Sequence, residues 1–210
     1  MTDPASPDAL PPQHRGQNRG RERMENLLVE AERMMIEEGY AGLTMRRLAE
    51  RCGIALGNLQ YYFPSKTALV AALVDHICAR HRQAVETWPE KDADPEAAFE
   101  ALIRYVLEDI RKPEGSILYW EFWALAAHDE HAKTAMAELY RTELDLLAEA
   151  VTRLNPALPA PKTRHRAEII VGMLEGSGLM IGPGRPHAEN PEPLMQEIAA
   201  AALAIAKRAA

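Results

Sequence analysis

TMRRLAERCGIALGNLQYYFPSK, Thr44 to Lys66, reads as a helix, a glycine bend, a second short helix and the capped start of a third. The Thr44 hydroxyl can satisfy a free backbone N–H one turn into the first helix. Leu48, Ala49 and Cys52 then share an inward face at helical spacing. Gly53 stands where the chain must bend through a conformation that glycine adopts cheaply. Ile54 and Leu59 continue the apolar face beyond the bend, and small Ala49 lets the two helices approach closely, the spacing of a helix-turn-helix. That face leaves Arg46, Arg47, Asn58, Gln60, Tyr61, Tyr62 and Lys66 outside. These are donors and flat rings suited to phosphates and base edges.

The longer run GLTMRRLAERCGIALGNLQYYFPSKTAL closely resembles the N-terminal DNA-binding domain of the tetracycline-repressor (TetR) family of transcriptional regulators. Gly39, Thr44, Ala49, Gly53, Ile54, Gly57, Leu59, Tyr61, Phe63, Ser65, Lys66 and Leu69 occupy the positions of the family pattern, and the resemblance covers roughly residues 20 to 80. It implies base-edge readers at Arg46 and Asn58 and phosphate contacts at Thr44, Tyr61, Tyr62 and Lys66. Arg47, Gly57 and Gln60 complete the expected DNA-binding set, together with Ala55 and Leu56 at the helix start. Two departures bear on the sequence that would be read. Ala55 and Leu56 open the recognition helix where the family usually has Ser or Thr, which weakens the cap. Gln60 stands where Tyr is frequent, and glutamine can pair with adenine in the major groove.

With 210 residues, 47% of them hydrophobic, the chain can bury a core in a compact body beside a small N-terminal domain. Aromatics are sparse, and abundant Ala, Leu, Glu and Arg favour helices. The formal net charge of −7 is unevenly spread: from Gln13 to Lys66, nine Lys or Arg residues outnumber seven Asp or Glu residues. A weakly basic head on an acidic body turns the head toward DNA. Cys52 and Cys78 lack neighbours at metal-ligand or redox-motif spacing, and a packing role is expected for Cys52. Neither a signal peptide nor a membrane-spanning run is recognised, so a cytoplasmic protein without membrane association is expected.

The expected organisation is all-α. A disordered tail (1–18) precedes a three-helix helix-turn-helix domain (19–66) and a connecting helix (67–87) capped by Ser65. A helical effector-binding and dimerisation domain (95–210) follows. Arg15, Arg19, Arg21 and Arg23 lead into the first helix, as a solvated start or as a basic arm along DNA. That helix carries Leu27, Leu28, Ala31, Met34 and Met35 and is expected to end at Gly39. Pro89 and Pro95 bracket a linker, and further helices are expected over 95–111, 116–127, 131–153, 163–181 and 192–208.

In the body, Tyr119-Trp120-Glu121-Phe122-Trp123 lies on a helix apolar on two sides, as core or as the wall of a pocket. TetR-like bodies usually enclose an effector pocket, and YWEFWALAAHDE resembles the C-terminal domain of the betaine-regulator-like subgroup. Tyr105, Trp120, Trp123, Met173 and Glu175 are the pocket candidates, able to hold a cation or an acyl or aromatic molecule. His128 and His131 flank Asp129 at a helix break and read as solvated rather than as metal ligands. Ile169, Gly172 and Gly176, then Leu194, Ile198, Ala201 and Ile205, form shallow stripes. A monomer could bury these internally, whereas the resemblance implies half of a four-helix homodimer interface.

No cofactor, metal or catalytic group is expected. Gly176-x-Gly178 does not follow a strand, and no Ser/His/Asp arrangement stands in a recognisable context. The leading expectation is a repressor that binds a palindromic operator as a homodimer and is released by a small-molecule effector. The alternative is a helical binding or scaffold module without sequence-specific DNA binding, which would leave the exposed Asn58, Gln60, Tyr61 and Tyr62 unexplained.

Overall fold

A computed structural model describes residues 12–86 and 94–209; among them there are only helices, turns and bends, and no strand. The chain divides into two compact units, Met1–Leu73 and Val74–Ala210.

The N-terminal unit contains α1 (Pro12–Gly42), α2 (Met45–Arg51), α3 (Leu56–Tyr62) and the first turns of α4 (Lys66–Glu86). Of the tail expected over 1–18, residues 1–11 lie outside the described residues, whereas 12–18 belong to α1, with Pro12 at the helix start. The side chains of Arg15 and Arg19 also lie outside the described residues; Arg21 and Arg23 are exposed. Gly39, at φ 70°, interrupts α1 where its end was expected, and a further short helical piece carries on to Gly42. The core stacks Leu27, Leu28, Ala31, Met34 and Met35 against Leu43, Leu48, Ala49, Leu59, Phe63 and Leu69. Burying each large aliphatic side chain contributes about 1.5–3 kcal/mol. Arg51 ties α2 to α1, its Nε 2.6 Å from Glu30 Oε1 and its Nη1 2.7 Å from Glu37 Oε2 and 3.4 Å from Glu38 Oε1.

The C-terminal unit holds the rest of α4 with α5 (Pro95–Ile110), α6 (Pro113–Ala126), α7 (Glu130–Leu154), α8 (Ala160–Ile181) and α9 (Glu192–Lys207). Part of the linker expected before α5, residues 87–93, lies outside the described residues. Local caps set the starts. Asp94 accepts from the Ala97 N–H at 3.0 Å, and Asp129 from the Ala132 N–H at 2.8 Å. Both α6 and α8 begin three residues earlier than expected. Pro113 and Pro161 lie in their first turns, where a missing N–H costs nothing. Phe99, Leu102, Ile103, Leu107 and Ile110 of α5 pack with Leu147 and Val151 of α7, Ile170 and Leu174 of α8, and Met195, Ala202 and Ala206 of α9. Buried Arg166 on α8 fastens the end of α9 by donating to the carbonyls of Ala206 (3.1 Å) and Ala209 (3.0 Å). A cation at a helix C-terminus also meets the favourable end of the helix dipole.

Candidate nucleic-acid interface and interior cavity

The polar face of the N-terminal unit follows from how α2 and α3 are joined. Thr44 Oγ1 accepts from the Arg47 N–H at 3.3 Å and so caps α2. Gly53 turns at φ 62°, and the Ile54 N–H returns to the Ala49 carbonyl at 3.0 Å, closing the helix end before α3 begins. Ala55 starts α3 without a side-chain cap. Leu59 and Phe63 are buried, which pins one side of this two-turn helix to the core. The opposite side stands in solvent: Gly57, Asn58 and Gln60 are exposed, and Tyr61 is 84% exposed. Half-buried Tyr62 meets the Tyr61 ring edge-on at 5.3 Å between centroids and limits its swing. A large aromatic left that far out of a core is what a ring waiting for a partner looks like.

The basic side chains of this face fall into two groups. Arg46 is exposed, and among the described residues no hydrogen bond or ion pair holds it. Arg47, by contrast, pairs with Glu38 and donates to the Gly42 carbonyl at 3.3 Å. Lys66 donates to the Tyr40 carbonyl at 2.8 Å with its ammonium 3.8 Å above the Tyr40 ring centroid, and partial burial lowers its pKa. Lys66 thus starts α4 and closes the end of α1, a structural task with no local sequence signal. Ser65 caps the same helix by accepting from the Ala68 N–H at 3.1 Å.

Inside the C-terminal unit a cavity opens among α4 to α8, enclosing about 70 Å³, or about 790 Å³ when the open space at its mouth is counted. Its walls are apolar, with Leu102, Ile103, Val106, Leu146, Val171 and Leu174 prominent. Polar groups converge on it from five helices: His81 from α4, Tyr105 and Asp109 from α5, Tyr119 from α6, Glu143 from α7 and Glu175 from α8. His81 Nδ1 and the Tyr119 hydroxyl share a hydrogen bond of 3.0 Å. His81 Nε2 stands 2.7 Å from Glu143 Oε1 without a hydrogen bond between them. Burial, reinforced by the Glu143 carboxylate, pushes Glu175 up to about 7, against the hydrogen bond from Tyr140 and the nearby His81. Burial also raises the Tyr119 and Tyr140 phenols far above their ordinary range.

Of the pocket candidates, Tyr105 and Glu175 line this cavity; Trp120, Trp123 and Met173 are not among its lining residues. Trp120 stacks under the Arg185 guanidinium at 4.7 Å and touches the Gly178 position. Trp123 is 48% exposed and donates to the Tyr140 hydroxyl at 3.0 Å. Met173 packs half-buried against the core cluster. Helix α6 buries Leu118 and Phe122, and this rotation turns Tyr119, not the tryptophans, to the cavity. His128 is exposed, and His131 Nε2 bonds Asp75 Oδ1 on α4 at 3.0 Å.

The chain matches the family model described as bacterial regulatory proteins, tetR family, over residues 27–73. Residues 95–204 match the BetI-type transcriptional repressor, C-terminal. The chain belongs to the tetR family of bacterial regulatory proteins. An uncharacterized HTH-type transcriptional regulator in the dhlA 5' region of Xanthobacter autotrophicus is 30% identical over 72% of this chain and 76% of its own length. The HTH-type transcriptional regulator BetI of Stenotrophomonas maltophilia is 25% identical over 80% of this chain and 86% of its own. Among solved structures, a TetR transcription regulator from Haloarcula marismortui superposes with a TM-score of 0.71 at 19% identity, covering 89% of this chain and 97% of that one. This tetR-family chain is a DNA-binding, helix-turn-helix transcriptional regulator of the BetI-like repressor type, and not an enzyme. No helix among its described residues is long and apolar enough to cross a membrane.

The stripes expected at a tetR-family dimer interface split in two. Ile169, Gly172 and Gly176 lie exposed on α8, in line with Leu179 and Met180. Ala201 is exposed on α9, whereas Leu194, Ile198 and Ile205 face inward and pack half-buried against the core cluster. Met195, Ala202 and Ala206 form the buried face of α9, Leu194, Ile198 and Ile205 lie at its edge, and Ala201 falls just beyond that edge.

Proposed function

We propose that the chain represses transcription as a homodimer that grips a palindromic operator through two copies of α3 and lets go when a small molecule occupies the cavity. The observation that carries this reading is the solvent-facing side of α3, where Asn58, Gln60 and Tyr61 stand exposed opposite buried Leu59. Asn58 and Gln60 would read base edges beside Arg46. Thr44, Arg47, Tyr61, Tyr62 and Lys66 would hold phosphates, with Ala55, Leu56 and Gly57 close to the groove floor.

Two turns of helix read few bases, so specificity calls for a second copy with half-sites about 34–36 Å apart. The α8 stripe supports such a pairing. Ile169 is 57% exposed, Leu179 and Met180 extend the apolar row, and a Cβ built on Gly172 or Gly176 meets nothing within 4 Å. The bare glycines therefore serve no close contact among the described residues and leave room for a partner's helix. Ala201 on α9 would join that face. The cavity supports the effector: its walls are apolar and carry a few convergent polar groups. Release would require that the effector bind the two arrangements of the body unequally. A regulator of this kind works in the cytoplasm.

Selection of duplexes from a random pool by the purified chain, followed by sedimentation of the complex, tests the proposal. An enriched inverted repeat bound by two chains is expected. Failure to enrich any sequence at low salt would favour a scaffold module instead.

A further inference from the structure

Arg46 and Arg47 stand side by side at the start of α2, both exposed, yet only Arg47 is held by the protein itself. Its guanidinium pairs with the Glu38 carboxylate of α1, one residue before the Gly39 kink, and donates to the Gly42 carbonyl at 3.3 Å. The cradle depends on a missing side chain. A Cβ on Gly42 would collide with the Glu38 Cβ and stand 2.8 Å from Glu38 Oε2, so any larger residue at 42 would displace the carboxylate. Glu38 also reaches Arg51, but only at 3.4 Å. Arg51 already has closer partners in Glu30 (2.6 Å) and Glu37 (2.7 Å), so the tie between α1 and α2 does not depend on Glu38. The better-fitted task of Glu38 is to occupy Arg47.

We propose that Glu38 competes with DNA phosphate for Arg47 and so restrains sequence-independent affinity, an inference that rests on the operator-binding reading given above. A carboxylate and a phosphate offer the guanidinium the same kind of charged acceptor, and Arg47 cannot give its full charge to both. An arginine that exchanges one anion for another adds little net positive charge to the complex, so it releases fewer counterions from DNA than a free one does. The Arg47 side chain is 49% exposed and Glu38 24%, so the pair is weak enough to open when a phosphate arrives. Arg46, Asn58 and Gln60 are not held by Glu38, so the restraint falls on backbone grip and spares base reading. A regulator faces a vast excess of non-specific sites, and a looser grip on phosphate shortens its stay at each.

Binding of the full-length chain to one duplex of arbitrary sequence, followed by fluorescence anisotropy from about 50 to 200 mM salt, tests this. Wild type is compared with Glu38→Gln, Glu37→Gln, Arg47→Ala and the double Glu38→Gln, Arg47→Ala, beside the thermal midpoint of each. Glu38→Gln keeps the side-chain shape and frees Arg47. The slope of log affinity against log salt should steepen by about 0.9, the increment for one further phosphate, and low-salt affinity should rise about threefold or more. Glu37→Gln removes the same charge from the next residue, which pairs with Arg51, and should leave the slope unchanged. In the Arg47→Ala background Glu38→Gln should also leave the slope unchanged, since the cation it competes for is gone. An unchanged slope for Glu38→Gln, or an equal steepening from Glu37→Gln or in the Arg47→Ala background, overturns the proposal. Weaker binding by Glu38→Gln overturns it too, because Glu38 would then aim Arg47 at DNA rather than withhold it. Should Glu38→Gln fail to fold, Glu38→Ala is held to the same slope. A wild-type chain that binds no duplex even at low salt removes the operator-binding reading itself, an outcome distinct from these.

Discussion

Replacing Glu175 with Gln should stabilise the protein at alkaline pH and have little effect at acid pH. Burial and the Glu143 carboxylate raise Glu175 from 4.5 to about 7. Each tenfold change in proton affinity corresponds to about 1.4 kcal/mol, so keeping this carboxylate ionised inside the cavity costs ~3 kcal/mol relative to water. The sign follows from proton counts. Between pH 4.5 and 7 the folded chain holds the Glu175 proton and the unfolded chain does not, so stability falls as pH rises across this window and levels off above it. Gln removes the titration, and its side-chain oxygen can still accept from Tyr140. Urea unfolding of wild type and Glu175→Gln at half-unit steps from pH 5 to 8, followed by tryptophan fluorescence, measures the difference. The variant's advantage should grow by about 2–3 kcal/mol from pH 5 to pH 8. A difference that stays constant across the range would mean that Glu175 does not sit desolvated beside Glu143, and the account of the cavity would be wrong.

Four further outcomes are expected. Arg46→Ala should weaken specific binding by about 1–3 kcal/mol and relax base preference at one position of each half-site, seen by mobility shift on single-base variants. Lys66→Ala should lower the slope of log affinity against log salt by about one and also lower the thermal midpoint, because the Tyr40 carbonyl loses its donor. Arg166→Ala strips both donors from the end of α9 and should cost about 2–3 kcal/mol in urea unfolding. At Gly176 an added Cβ meets nothing within 4 Å among the described residues, so Gly176→Glu should fold normally yet sediment as a monomer and bind the operator at least tenfold more weakly.

The helix-turn-helix was legible because its determinants are local. A threonine one turn before a buried leucine, a glycine at the bend and a serine before a lysine each specify a cap or a turn within four residues. The starts of α6 and α8 lie three residues before the sequence pattern puts them, because Pro113 and Pro161 read as breaks yet sit in the first turns of these helices. The cavity was less legible for a different reason. His81, Asp109, Tyr119 and Glu143 come from four helices, and nothing in their spacing announces that they meet. On α6 both faces are apolar, so the sequence offered no way to choose Tyr119 over Trp120 or Trp123 as the inward ring. The polar contacts of Arg47 and Lys66 with Glu38 and Tyr40 were likewise invisible, since they depend on where the chain turns after Gly39.

The central claim is that the outward side of α3 reads bases, and exchanging its polar residues tests this most directly. Selection from one random duplex pool is run in parallel with wild type, Asn58→Ala and Gln60→Ala. The account predicts an inverted repeat for wild type, with each variant losing preference at matching positions in both half-sites. The same repeat recovered unchanged from all three proteins, or from none, would contradict it.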